Sequence, residues 1–137
     1  MIEYTSIGDF VLEEQKNISE WVGFTLDQEK RELGELNYIF CDDSYLLDLN
    51  INSLNHSTLT DIISFDYTLG NIVFGDIYIS YERVRENAKE LQQDFRDELH
   101  RVMIHGVLHY CGYKDKMEDE KKLMREKEDY YLSLRTF

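Results

Sequence analysis

The sequence contains no proline, only two cysteines and only four histidines among its 137 residues. Because proline, low-complexity segments and internal repeats are all absent, nothing in the chain marks a linker. We therefore expect a single domain over residues 1–137. Two cysteines are too few for the disulfide framework of a small secreted protein, so both thiols are expected to be reduced.

Long apolar runs are also absent. No stretch approaches the roughly 20 apolar residues that a membrane-spanning helix needs. The first residues lack the basic and apolar regions that together make a signal peptide. These absences predict a cytoplasmic protein with no membrane partner.

Cations are scarce in the first part of the chain. Residues 1–80 contain three Lys and Arg against fifteen Asp and Glu, whereas residues 81–137 contain twelve against thirteen. The net charge of −13 argues against indiscriminate binding to nucleic acid, because neutralised phosphates supply most of that affinity. No DNA partner is expected. Two interpretations of the later cations stay open: a local cationic surface, or pairing with neighbouring carboxylates on helices.

The hydrophobic pattern predicts an α+β fold. Alternating or β-branched segments predict strands over residues 1–7, 35–41, 61–67 and 72–80. Helical spacing predicts helices over residues 14–31 and 45–54, from residue 81 onward with a break near 92–96 capped by Asp94, and over about 117–134. We expect a small mixed β-sheet of about four strands, covered by about five or six helices. The last two strands are either a hairpin or neighbours in the sheet.

Two histidines lie four residues apart in a segment predicted to be a buried helix. That spacing places His105 and His109 on one face, one turn apart. Gly112 suits the position after a helix end, where the chain turns sharply, and Asp115 follows closely enough to return to the same point. Two imidazoles and a carboxylate are a common ligand set for a catalytic Zn²⁺ that keeps one position open. The alternative is a metal-free helix on which both histidines serve packing.

Gly106 bears on the type of chemistry. In the metallopeptidase motif His-Glu-x-x-His, the residue after the first histidine is the Glu that acts as general base. Here that residue is Gly106, so peptidase chemistry of that kind is not expected. A glycine at this position also allows another backbone to approach the helix closely.

Two other residues near the motif are not predicted to be ligands. Cys111 lies two positions after His109 and faces another side of the helix, so we interpret it as a small buried residue. His100 lies five positions before His105 and also faces elsewhere, and we expect it at the surface.

The region around the histidines resembles a known family. The YbeY family of bacterial rRNA-maturation endoribonucleases has the signature His-Gly-x-Leu-His-Leu-x-Gly-Tyr-Asp-His. This chain matches it at His105, Gly106, Leu108, His109, Gly112 and Tyr113. Residues 49–50 and 60–65 also resemble the family's Leu-Asn … Thr-Asp-Val-Leu-Ser-Phe block, and residues 75–80 resemble its Gly-Asp-Ile-x-Ile-Ser/Cys strand.

The resemblance implies a single metallohydrolase domain that is a zinc-dependent single-strand endoribonuclease in rRNA maturation and ribosome quality control. It implies one Zn²⁺ at His105, His109 and Asp115, with rRNA and a ribosomal subunit or ribosomal proteins as partners. The family's third metal-binding histidine falls at Asp115, which still offers an oxygen ligand. The family's arginine implicated in RNA cleavage falls at Leu54, and its aspartate before the third ligand falls at Lys114.

Further residues are candidates for catalysis on this basis. His56 is the candidate proton shuttle or phosphate contact, or else a solvated loop histidine. Arg83 is the candidate for the missing cation, or else a helix surface residue paired with Glu82 or Glu86. Asp61 is a candidate to orient a ligand histidine, or else to cap a strand end.

Two alternative functions stay open. The first is a non-catalytic ribosome-assembly factor with a structural metal site, in which the acidic residues 1–80 dock a basic ribosomal protein; Leu54 favours it. The second is a metallohydrolase of another substrate such as a peptide, which Gly106 makes less favourable. A fourth protein ligand would favour a structural metal, whereas an open position would favour an enzyme.

Overall fold

The computed structural model describes residues 1–54 and 59–137, except for the side chains of residues 53 and 54. The strands are β1 (Ile2–Ser6), β2 (Glu32–Cys41), β3 (Ile62–Asp66) and β4 (Ile72–Ser80). The helices are α1 (Gln15–Gln28), α2 (Asp43–Leu54), α3 (Tyr81–Glu90), α4 (Phe95–Tyr110) and α5 (Glu118–Ser133). Within these residues, no helix combines the length and the apolar character needed to cross a membrane.

The four strands form one mixed sheet in the order β1-β2-β4-β3. β2 pairs in parallel with β1 on one side and with β4 on the other, whereas β3 is antiparallel to β4. Of the two arrangements left open for β3 and β4, the structure therefore has the hairpin, and Leu69 pairs with Ile72 next to its turn. A mixed sheet of four strands and five helices in the described residues confirms the predicted α+β class.

The boundary between the first helix and the second strand differs from the prediction. The sequence predicts a helix to residue 31 and a strand from residue 35, but α1 ends at Gln28 and β2 begins at Glu32. Lys30 adopts a left-handed conformation with a φ of 59°, which ends the helix without a glycine. β2 then pairs with the whole of β4, beginning with Glu32 opposite Ile72.

The helix that carries both motif histidines, α4, is the central helix of the fold. Its apolar side chains pack on one face of the sheet, in a core shared with α1 and α5. Tyr38 of β2 donates its hydroxyl hydrogen to the Met103 carbonyl of α4 at 3.0 Å. Trp21 of α1 donates its indole N–H to the Tyr131 carbonyl of α5 at 2.8 Å. These contacts enclose α4 and fix the direction of its remaining polar face.

A second, smaller cluster lies on the opposite face of the sheet. It joins Cys41, Leu46 of α2 and Ile63 of β3. Side chains on a strand alternate between faces, which is why neighbouring strand residues contribute to different clusters. The part of the sheet next to α2 is therefore covered on both faces.

The break between α3 and α4 follows the prediction. α3 ends at Glu90 and α4 begins at Phe95. Asp94 has an extended conformation, and its side chain accepts a hydrogen bond from the Arg96 backbone N–H at 3.4 Å. A side-chain oxygen at this position satisfies one of the free N–H groups of the first turn.

Gly106 lets α4 approach the sheet closely, although not in the way expected from the sequence. A Cβ atom at Gly106 would lie 3.0 Å from Ile77 Cδ1 and 3.2 Å from Ile62 Cδ1. The expectation of a neighbouring backbone is therefore wrong, because the close neighbours are side chains of β3 and β4. At this point α4 packs directly on the side chains of Ile62 and Ile77, because Gly106 has no side chain of its own.

Tyr110 and Gly75 form a second close contact between α4 and the sheet. The ring of Tyr110 occupies the space that a Cβ on Gly75 would fill. The Tyr110 hydroxyl donates a hydrogen bond to the Phe65 carbonyl at 2.9 Å. This residue ends the helix just before the turn toward Asp115, so the contact fixes the helix end against β3 and β4.

Replacing Gly75 by alanine is expected to destabilise the protein by about 1–3 kcal/mol, because the added methyl group overpacks the Tyr110 contact. Gly23 is a matched control, since a Cβ there meets nothing within 4 Å. Gly23→Ala lies inside α1 and is expected to stabilise by about 0.5–1 kcal/mol. Urea unfolding of both variants measures the difference. Equal free energies of unfolding for the two variants would contradict this packing.

Candidate metal centre

The turn after α4 places a carboxylate beside the two histidines of the helix. Gly112 has a φ of 99°, and its N–H donates to the His109 carbonyl at 3.0 Å. The N–H of Tyr113 donates to the Leu108 carbonyl at 3.1 Å. This pair of hydrogen bonds is the Schellman motif, which reverses the chain at a helix end. Asp115 follows three residues after Gly112 and returns toward the helix.

His105, His109 and Asp115 bring three donor atoms together. Nε2 of His105 lies 3.0 Å from Nε2 of His109 and 3.0 Å from Oδ2 of Asp115. Nε2 of His109 lies 3.2 Å from the same Oδ2. A tetrahedral zinc with ligands at about 2.0–2.1 Å separates neighbouring donors by about 3.3 Å, so the triangle is close to that size. Among the described residues, this is the group found with metal-binding geometry.

Glu128 of α5 orients the first of these histidines. Its Oε2 lies 2.6 Å from Nδ1 of His105, and its side chain is only 6% exposed. A carboxylate accepts hydrogen bonds, so Nδ1 of His105 carries the proton. In neutral His105 the lone pair is therefore on Nε2, which faces His109 and Asp115. A carboxylate behind a ligand histidine is a common feature of protein zinc sites, and the donor set thus fits a zinc ion.

The sequence interpretation missed Glu128, although a signal for it exists. Met124, Glu128 and Tyr131 are the buried residues of α5 and share one helix face at spacings of four and three residues. A glutamate on an otherwise apolar face must find a partner. The partner cannot be identified from the sequence, because it lies on another helix 23 residues away.

Arg101 holds Glu128 from a second direction. Its Nη1 lies 2.9 Å from Glu128 Oε1 and its Nη2 lies 2.6 Å from Asp129 Oδ1. Arg101 is one turn before His105 on α4, so one helix supplies both groups that bind Glu128. One oxygen of Glu128 therefore binds the guanidinium of Arg101, and the other binds the imidazole of His105.

The surroundings of the donor set favour a charged His105. Burial of the imidazole lowers its pKa, but the hydrogen bond to Glu128 and the negative charges of Glu128 and Asp115 outweigh burial, so the pKa is raised. Metal binding requires the Nε2 lone pair and must displace a proton from charged His105. We therefore expect metal affinity to fall as the pH decreases.

Asp61 lies near His105 but does not orient it. The carboxylate of Asp61 contacts Asn87 Nδ2 at 3.5 Å, and the hydrogen bond to His105 comes from Glu128 instead. Burial raises the pKa of Asp61, while the nearby imidazole of His105 opposes that shift. Asp61 contributes to the electrostatic field around the donor set.

A cavity of about 330 Å³ opens beside the donor set. His105, Asp115 and Glu128 line it, together with the carboxylates of Asp61 and Glu98. Pockets for small ligands begin at about this volume. A metal ion at the three donors would therefore lie next to a space that can admit a substrate group.

The two predicted catalytic residues are not brought into this cavity by the described part of the structure. His56 lies outside the described residues, and the side chain of Leu54 at the end of α2 is also outside them. Arg83 is in the first turn of α3, where its Nη2 pairs with Asp43 Oδ2 at 2.8 Å. Its partner is thus Asp43, not the Glu82 or Glu86 considered from the sequence.

Cys111 and His100 both lie outside the group of three donors. Cys111 is partly buried, is a free thiol, and has a pKa raised by burial to about 12; it is outside the donor group. His100 is buried, with only 2% of its surface exposed, so the expectation of a surface histidine is wrong. Arg135 of the C-terminal segment covers this side of α4 and donates to His100 Nδ1 at 2.7 Å. Burial and the Arg135 charge lower the His100 pKa to about 4.

Several known proteins are similar to this chain. A sequence profile of the family described as Endoribonuclease YbeY matches residues 6–135. The chain is 56% identical over 134 residues to Endoribonuclease YbeY of Flavobacterium psychrophilum, covering 98% of this chain and 96% of that protein. It is 50% identical over 133 residues to Endoribonuclease YbeY of Christiangramia forsetii, with 97% and 93% covered.

The fold is also similar to a solved structure. The solution structure of a protein from Thermotoga maritima matches with a TM-score of 0.70 and 28% sequence identity, covering 97% of this chain and 87% of that one. Together the comparisons confirm the family that the motifs indicate. The expectation of a nuclease-class hydrolase agrees with the names of the relatives.

Glu128→Gln is expected to weaken zinc binding by about 10- to 100-fold, because loss of a carboxylate behind a ligand histidine has effects of this size. Glu126→Gln is the matched control, since Glu126 is an exposed residue of the same helix. Competition with a chromophoric chelator measures both affinities. Equal affinities for the two variants would show that Glu128 has no role in metal binding.

Proposed function

The chain belongs to the endoribonuclease YbeY family, and from that membership we propose that it is a zinc-dependent endoribonuclease. Its proposed substrate is single-stranded RNA, and its proposed role is rRNA maturation and ribosome quality control in the cytoplasm. The proposed partners are rRNA and a ribosomal subunit or ribosomal proteins. Residues 1–137 would act as one metallohydrolase domain.

The observation that carries this proposal is the donor set beside the cavity. Three protein donors converge within 3.2 Å of one another, which supports a site with one position left for substrate or water. When bound there, zinc supplies Lewis-acid activation of water and of a phosphoryl oxygen. His105, His109 and Asp115 would hold the ion, and Glu128 would keep His105 in the required tautomer.

Two further roles belong to this proposal. His56 would serve as a proton shuttle or a phosphate contact, since a histidine can change its charge near neutral pH. Arg83 would provide positive charge near the substrate if its ion pair with Asp43 were exchanged for a phosphate. That pair is partly exposed, with 26% and 25% of the two side chains accessible, so a phosphate could reach the guanidinium.

A second candidate function is a non-catalytic ribosome-assembly factor with a structural metal. Leu54 at the position of the family's arginine favours it, as does the acidic character of residues 1–80. The two functions predict different results from one preparation. The enzyme cleaves RNA when zinc is present, whereas the assembly factor binds zinc and leaves RNA intact.

His109→Ala is expected to lose stoichiometric zinc and to reduce cleavage of a structured rRNA fragment by at least about 100-fold, because it removes one of three metal donors. Cys111→Ala is the matched control, since it removes a neighbouring side chain outside the donor group. Metal content and cleavage rate are measured for both variants and the parent. Cleavage that persists unchanged after loss of the metal would defeat the zinc mechanism.

A further inference from the structure

Two cations of α5 line the same cavity as the metal-binding residues. Lys121 and Arg125 face the space that is also lined by His105 and Asp115. We propose that Lys121 and Arg125 bind RNA phosphates next to the metal site and supply the positive charge that Leu54 cannot. This inference rests on the proposed function, because it names the residues that bind the substrate of that site.

The two cations are available to bind an anion. The nearest carboxylate to Lys121 Nζ is Glu118 in its own helix at 3.7 Å, and Arg125 Nη1 lies 3.8 Å from Glu128. The side chains of Lys121 and Arg125 are 57% and 54% exposed. The Lys121 pair is long and exposed and contributes little to stability. Glu128 is buried, but it keeps its short contacts to Arg101 and His105 when Arg125 turns away, so both cations can turn to a phosphate.

Arg101, the third cation of the lining, is different. It is 15% exposed and forms short ion pairs to Glu128 and Asp129. Releasing it would leave the buried carboxylate of Glu128 without its partner, which is unfavourable. Arg101 therefore has a positioning role, and phosphate binding falls to Lys121 and Arg125.

The spacing along α5 places the two cations and the orienting carboxylate on one helix face. Lys121, Arg125 and Glu128 follow at intervals of four and three residues, which brings them to the same side. Glu128 lines the cavity and lies 2.6 Å from His105 Nδ1. A phosphate bound by Lys121 and Arg125 would therefore lie on the α5 side of the cavity, next to the carboxylate that orients His105.

The charge of the lining makes this binding dependent on the metal. Four carboxylates, Asp61, Glu98, Asp115 and Glu128, face three cations in the cavity. A divalent ion at the donor set adds two positive charges to this lining and thereby strengthens its attraction for a phosphate.

The test compares Lys121→Gln/Arg125→Gln with Lys89→Gln/Lys122→Gln in the zinc-loaded full chain. Both double variants remove two exposed cations, but Lys89 and Lys122 lie outside the cavity lining. The probe is a fluorescent single-stranded RNA of about ten nucleotides. Its anisotropy is recorded before product accumulates and over a range of salt concentrations. Cleavage kinetics, zinc content and melting temperature are measured on the same preparations.

The cavity variant is expected to bind this RNA about tenfold more weakly than the control variant. Its slope of log affinity against log salt is expected to fall by about 1.4 relative to the parent, since each phosphate contact to a single strand contributes about 0.7. KM is expected to rise with the dissociation constant. Arg125→Lys keeps the charge and is expected to retain most of the binding.

The outcomes separate this inference from the proposed function. If the parent cleaves RNA and the cavity variant equals the control, the phosphate site is wrong and the nuclease proposal stands. If the parent binds RNA without cleaving it and the cavity variant binds more weakly, the site stands and the nuclease proposal fails. If the double variant loses zinc, the single variant Lys121→Gln is compared with the parent instead, because Lys121 does not contact Glu128. RNA binding equal to that of the parent would overturn the proposed phosphate site.

Discussion

The hydrogen bond between His105 and Glu128 joins the two helices that build the candidate site. The two atoms lie 2.6 Å apart, and the carboxylate is almost fully enclosed. Removing one partner of a buried ion pair typically costs about 3–5 kcal/mol of folding free energy. A shift of α5 that separates Glu128 from His105 is therefore unfavourable. The direction of the His105 lone pair and the packing of α5 on α4 therefore depend on each other. Arg101 strengthens the dependence because it binds the same carboxylate from α4.

The third donor is held by a separate set of contacts. Tyr113, two residues before Asp115, donates its hydroxyl hydrogen to Glu29 at the end of α1 at 2.7 Å. Tyr131 of α5 also donates to Glu29. Burial raises the Glu29 pKa, but these two hydroxyls and Lys127 outweigh it, and the pKa is lowered. One ionised carboxylate thus connects α1, α5 and the turn that carries Asp115, and it holds this turn beside the two helices.

The sequence predicts what depends on neighbouring residues and misses what depends on contacts between distant segments. Helical spacing predicts His105 and His109 on one face, and Gly112 predicts the turn that returns Asp115; the structure brings all three together. Glu128 reaches His105 from 23 residues away, and Arg135 covers His100 from 35 residues away. No periodicity or local motif encodes these approaches. The early end of α1 is a related case, because a left-handed residue that is not glycine gives no sequence signal.

The central claim is that two imidazoles and one carboxylate hold a zinc ion that keeps a position for substrate. X-ray absorption spectroscopy of the zinc-loaded protein tests it most directly. The expected spectrum has four nitrogen or oxygen ligands at about 2.0–2.1 Å, two of them with the multiple-scattering pattern of imidazole. A zinc–sulfur distance of about 2.3 Å would contradict the claim, because it would place Cys111 or another thiol in the ligand set.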